Sequence, residues 1–203
     1  MDFNWLQAQP RFLVRQRVTF MVNKYEVHTP GPDGEEQHLV AFAQQKRLAF
    51  KEQVTLYTDA SKQYVLAAFK ARQRIDLGAT YDVTDHAGMP IGNFRKDFKR
   101  SLTSSTWHLE QPGLGVTTGT ERNQTVAILR RVWGFIPFLG DLPFAWPYHF
   151  DFTVPVEGGT YAVFSVVKKF GLRDKYVVEI HDPRIDRRLV IAQAVALDAL
   201  QSR

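Results

Sequence analysis

Three cations alternate along one short run of this 203-residue chain, Lys70-Ala71-Arg72-Gln73-Arg74. Side chains two apart on a strand project from the same face, about 7 Å from one another, so the three would line up. A fourth cation, Arg95, follows Gly92-Asn93-Phe94 in a neighbouring predicted strand. A guanidinium grips phosphate oxygens with two parallel N–H donors, which a lone ammonium cannot do. Lys70, Arg72, Arg74 and Arg95 therefore predict a site for a multiply charged phosphate. Residues 61–100 hold eight cations against four acids, a net of +4 within a chain of net +5. The competing reading is a solvated wall whose charges keep strands soluble and discourage edge pairing.

The stretch 132–150 is the other unusual composition, with Trp133, Phe135, Phe138 and Trp146 among three prolines and with Arg130 and Arg131 at its base. Proline at 137, 143 and 147 prevents a continuous helix. One reading is a loop that dips into a membrane interface, where Trp is favoured, or meets a protein partner. The other is a plug folded over one end of the domain, since exposed apolar patches of this size are rare.

Weaker constellations predict no catalytic residue and no metal. His149 and Asp151 share one side of a strand, and His181 adjoins Asp182, yet neither pair has a recognisable Ser or Thr nucleophile. No His pair has metal-ligand spacing. Gly113-Leu-Gly-Val-Thr-Thr-Gly misses the dinucleotide fingerprint and lacks a following Lys-Ser or Lys-Thr, so it reads as a turn. Zero cysteines exclude disulfides and thiolate chemistry. The net charge permits attraction to anionic surfaces, but no helix carries a basic face suited to a nucleic-acid groove.

The elements that must position these residues form a repeated hairpin. Phe12 to Phe20, Leu66 to Arg74 and Val163 to Phe170 each read as a strand ending in cations. Each is followed by a short turn and a strand with Tyr and Val two apart, as in Tyr25-Glu-Val, Tyr81-Asp-Val and Tyr176-Val-Val. Residues 39–59 are a looser copy. Such period-two alternation marks antiparallel strands with one buried face. Further strands are predicted at 91–94, 105–110, 115–120, 125–131 and 148–154, about a dozen in all. The chain then closes with a helix that has no polar face. From Leu189 to Leu200 only Gln193 and Asp198 interrupt the apolar residues, and a helix apolar all round is buried on every side. The predicted fold is one domain over 1–203, mainly β with one buried helix. It is a closed antiparallel barrel around a helix from about Asp186, its N-cap, to Leu200. No apolar run reaches the roughly 20 residues of a membrane span, and the N-terminus lacks a secretory pattern, so a cytoplasmic protein is expected.

The runs Tyr64-Val-Leu-Ala-Ala-Phe-Lys-Ala-Arg-Gln-Arg, Tyr81-Asp-Val-Thr-Asp and Ile91-Gly-Asn-Phe-Arg-Lys resemble the LURP-one-related family. More distantly they resemble tubby C-terminal domains and phospholipid scramblases. The resemblance runs from about Phe12 to Leu200 and implies a barrel of about twelve antiparallel strands around a hydrophobic C-terminal helix. Tubby domains hold phosphoinositide headgroups with a Lys-x-Arg on one strand and an Arg after the next Gly-x-Leu. Lys70-Ala-Arg72 and Arg95 occupy the matching places here. The resemblance thus implies a non-enzymatic module for anionic phospholipid headgroups, cytoplasmic and peripheral at the inner face of the membrane, with no cofactor. This chain is sparser in cations than tubby at that strand, with Phe69, Ala71 and Gln73 at the intervening positions. A scramblase-like activity is a further alternative, although the cysteine-rich segment of that group is absent. The remaining alternative is a protein-interaction scaffold without a lipid role.

Overall fold

The computed structural model describes residues 1–18, 22–46, 53–72, 80–97, 106–122, 149–169 and 175–201. A short helix α1 (Phe3–Gln7) leads into β1 (Arg11–Val18), β2 (Val22–Pro30), β3 (Glu36–Lys46) and β4 (Gln53–Tyr57). Then come β5 (Val65–Ala71), β6 (Thr80–Asp85), β7 (Pro90–Asp97) and β8 (Thr106–Gln111). The last strands are β9 (Gly115–Glu121), β10 (His149–Val156), β11 (Gly159–Lys169) and β12 (Lys175–Ile180), before helix α2 (Arg187–Gln201). Every strand pairs antiparallel with its sequence neighbours, and β12 returns to β1. The result is a closed twelve-stranded barrel with no free edge. The strand expected at 125–131 and the aromatic stretch with Trp133, Phe135, Phe138 and Trp146 lie outside the described residues.

Alternation along the strands decides the inside and the outside. In β5 Leu66, Ala67 and Phe69 are buried while Lys70 is exposed, and in β7 Phe94 is buried between half-buried Asn93 and exposed Arg95. The interior is filled by α2, whose Leu189, Ile191, Val195 and Leu197 are fully buried. Burying one such side chain contributes about 1.5–3 kcal/mol, so the helix carries much of the core's stabilisation. It packs nearest β5, β6 and β7. Gly92 permits that approach, because a Cβ there would sit 2.7 Å from Leu189 Cδ2. Gly119 gives similar room to the Phe152 ring, 2.4 Å from where its Cβ would be.

The two polar interruptions of the helix meet different fates. Asp198 accepts hydrogen bonds from Tyr25 Oη, at 3.0 Å, and from Tyr176 Oη. Gln16 donates to Tyr25 Oη at 3.2 Å, which ties β1 and β2 into the same buried network. Gln193 is buried, and neither of its amide atoms has a hydrogen-bond partner among the described residues. At the other end of α2, Asp186 caps the helix by accepting from the Arg188 N–H at 2.8 Å, as its N-cap role requires. Arg187 is 3% exposed and donates to the carbonyls of Gln9 (2.9 Å) and Ile185 (2.6 Å). Burial lowers the pKa of its guanidinium from the ordinary arginine value. Gln7 completes the knot, donating to Pro183 and Ile185 carbonyls and accepting from the Arg187 N–H. The N-terminal segment is thereby fastened across one mouth of the barrel.

Candidate anion-binding face

Three of the four predicted cations, Lys70, Arg72 and Arg95, share the outer wall of β5, β6 and β7. Lys70 stands opposite Asp82 of β6, and Arg95 of β7 stands opposite Thr80. Arg72, one residue past the end of β5, donates its N–H to the Thr80 carbonyl at 2.9 Å. Arg72 and Arg95 therefore flank β6 at one level, about 10 Å apart by strand spacing, with Lys70 about 7 Å along from Arg72. All three side chains are exposed. Arg74 lies outside the described residues.

Lys70 and Arg95 have no ion pair among the described residues, whereas Arg72 is engaged. Its Nε lies 3.0 and 2.9 Å from the two Asp82 oxygens and its Nη2 lies 2.7 Å from Oδ1. That fork-on-carboxylate contact raises the Arg72 pKa, first through the hydrogen bonds and then through the Asp82 charge. The face thus offers two unengaged cations and a third held by a carboxylate that an incoming phosphate would have to displace.

Beside Arg95 lies a polar relay that sequence reasoning missed. His108 Nε2 is 3.2 Å from Asp97 Oδ2, and its Nδ1 is 3.3 Å from Thr118 Oγ1. If Nε2–H donates to Asp97, Nδ1 accepts from the Thr118 hydroxyl, so β7, β8 and β9 are stitched across the wall. The three residues stand on three successive strands, and only the strand register shows that they meet. His149 and Asp151 do share a face, 3.0 Å apart, and Arg122 grips the same carboxylate at 2.7 and 2.9 Å. His181 faces Ser165 Oγ at 3.4 Å, while its neighbour Asp182 is held by Arg184. Hydrogen bonds from Arg184 hold the Asp182 carboxyl below the usual carboxylate range. Among the described residues no group of three His, Cys, Asp or Glu comes together for a metal. Nor is any helix among them long and apolar enough to cross a membrane.

The cationic face belongs to a larger asymmetry. Strands β1, β3, β5, β7, β9 and β11 all run toward one end of the barrel, so cations at their C-terminal ends gather there. The strand and helix ends that form it are 17–18, 22–24, 44–46, 53–54, 70–72, 80–82, 95–97, 106–108, 120–122, 149–151, 167–169, 175–176 and 197–201. These carry eleven cations against five acids. Residues 19–21, 47–52, 73–79, 98–105, 123–148 and 170–174 lie outside the described residues; in sequence they hold eight cations against four acids.

No curated protein matches the chain. Among solved structures, a porin-like protein from Bacteroides uniformis aligns over 85% of this chain and 96% of its own at 8% identity. Its TM-score of 0.23 is too low to carry structural likeness. A profile of the LURP-one-related family matches residues 39–198, from β3 to the last turns of α2. With that match covering most of the barrel and its central helix, the chain belongs to the LURP-one-related family.

Proposed function

We propose that this protein is a non-enzymatic module that settles its basic barrel end, the Lys70–Arg72–Arg95 wall included, on an anionic phospholipid surface. The observation that carries this reading is the gathering of eleven cations against five acids at one end of the barrel. A field of one sign over a whole end attracts an anionic surface and orients the molecule on it, while a scattered surplus would do neither. Each cation brought near such a surface contributes about 1 kcal/mol, and the attraction is screened beyond a Debye length. In the cell the module works at the cytoplasmic face of the membrane, where anionic lipids concentrate.

Vesicle sedimentation tests it. The protein is expected to pellet with phosphatidylserine-containing vesicles and to remain in the supernatant with phosphatidylcholine alone. Phosphoinositide-containing vesicles of equal total charge should bind to a similar degree, because Asp82 already occupies the fork of Arg72. Failure to pellet with any anionic vesicle at low salt would leave the module without a lipid role.

A further inference from the structure

The opposite end of the barrel is acidic and carries exposed apolar side chains. The segments that close it, 1–12, 29–37, 57–66, 84–91, 110–116, 155–161 and 179–188, hold eleven acids against five cations. Every exposed large apolar side chain of the described residues lies in these segments, including Met89 at 63% and Phe3 at 44% exposure. Single exposed apolar residues are ordinary surface; several held on one hydrogen-bonded framework within an acidic surround are not. Around the start of α2 they sit on a fastened framework. The Phe3 ring lies 4.3 Å from the Arg188 guanidinium, and Arg188 reaches Asp85 at 3.8 Å. The Asp85 carboxylate accepts from the Met89 N–H at 2.9 Å, which holds the β6–β7 turn against the same spot. Gln111 donates to the Arg184 carbonyl at 3.0 Å and accepts from the Asp186 N–H at 2.7 Å. This draws in the β8–β9 hairpin with Glu110 and Val116.

From this we infer that the acidic end is a docking surface for a basic amphipathic segment of a partner protein, with apolar side chains seated on Phe3, Met89 and Val116 and cations on the acidic surround. The inference is independent of the lipid reading, which concerns the other end. Charge complementarity selects the occupant. An anionic membrane is repelled by eleven acids against five cations, and a neutral one gains nothing from them, whereas a cationic amphipathic helix satisfies both properties of the surface.

The test uses the full chain and a fluorescent 18-residue Leu/Lys amphipathic peptide, followed by anisotropy, with a Leu/Glu peptide of the same pattern as control. The Leu/Lys peptide is expected to bind, the Leu/Glu peptide to bind at least tenfold more weakly, and Phe3→Ser with Met89→Ser to weaken Leu/Lys binding at least tenfold. Lys70→Gln with Arg95→Gln should leave peptide binding unchanged, which separates this surface from the lipid-binding one. Phe3→Ser gives up the contact with Arg188, so Met89→Ser alone, at 63% exposure, serves as the variant whose melting temperature should hold while peptide binding weakens. The Met89 methyl resonance should shift on adding peptide to the wild type. No binding, equal binding of both peptides, or binding unaffected by the double serine variant would overturn the inference. So would either of two other occupants: self-association abolished by the serine variant, or adherence to phosphatidylcholine vesicles through the same residues.

Discussion

Asp82 sets how much of the cationic wall is available. Its carboxylate holds the Arg72 fork, so removing the acid both frees a bidentate donor and deletes a repelling charge. Asp82→Asn is therefore expected to strengthen anionic-vesicle binding by about 1 kcal/mol, roughly fivefold, measured by sedimentation. His28 gives the fold a pH dependence. It lies 3.8 Å from Glu36 in a half-buried cluster with Arg15, Arg17 and Glu26. Burial, helped by the two arginines, pushes its pKa below the ordinary histidine value against the pull of the glutamates. The unfolded chain then takes up a proton more readily than the folded one. His28 costs no stability above about pH 6.5, and stability is lost as pH falls from there through the lowered folded value. Thermal melts of His28→Gln should show a shallower decline over that acid window than the wild type.

Helix α2 is where the sequence was most legible, because its all-round apolar surface has one physical solution, burial on every side. Val195→Asp puts an unpaired charge into a dry interior and should cost several kcal/mol in urea denaturation. A variant that melted like the parent would contradict the buried helix. Asp198 was less legible. In sequence it is an interruption of an apolar run, and its partners Tyr25 and Tyr176 lie on the first and last hairpins, with no local pattern linking them to it. Asp198→Ala removes the shared acceptor of the Tyr25 and Tyr176 hydroxyls and should cost about 1–3 kcal/mol by the same measurement. The twelve strands were readable from period-two alternation, and the Lys70–Arg72 alignment followed from it. What alternation cannot supply is register. The Asp82 contact and the Asp97–His108–Thr118 relay depend on which residues stand opposite across strands, and that is settled by turns and bulges, not by pattern. The fastening of α1 by Gln7 and Arg187 was invisible for a related reason, since it joins residues about 180 positions apart.

At the scale of the whole molecule, a net charge of +5 conceals two ends of opposite sign. The recurring motif of a strand ending in cations was visible in the sequence, but its consequence was not. Only when alternate strands are known to point the same way do those cations add up at one end. In the proposed function this basic end and its wall hold the protein on anionic lipid by screened electrostatics. The most direct test is sedimentation with phosphatidylserine-containing vesicles for the wild type and for Lys70→Gln with Arg72→Gln and Arg95→Gln, at about 0.05 M and about 0.5 M salt. The wild type should bind at low salt and lose most binding at high salt. The triple variant should bind more weakly by roughly 3 kcal/mol, with its melting temperature nearly unchanged. Salt-insensitive binding that the triple variant retains in full would contradict the account.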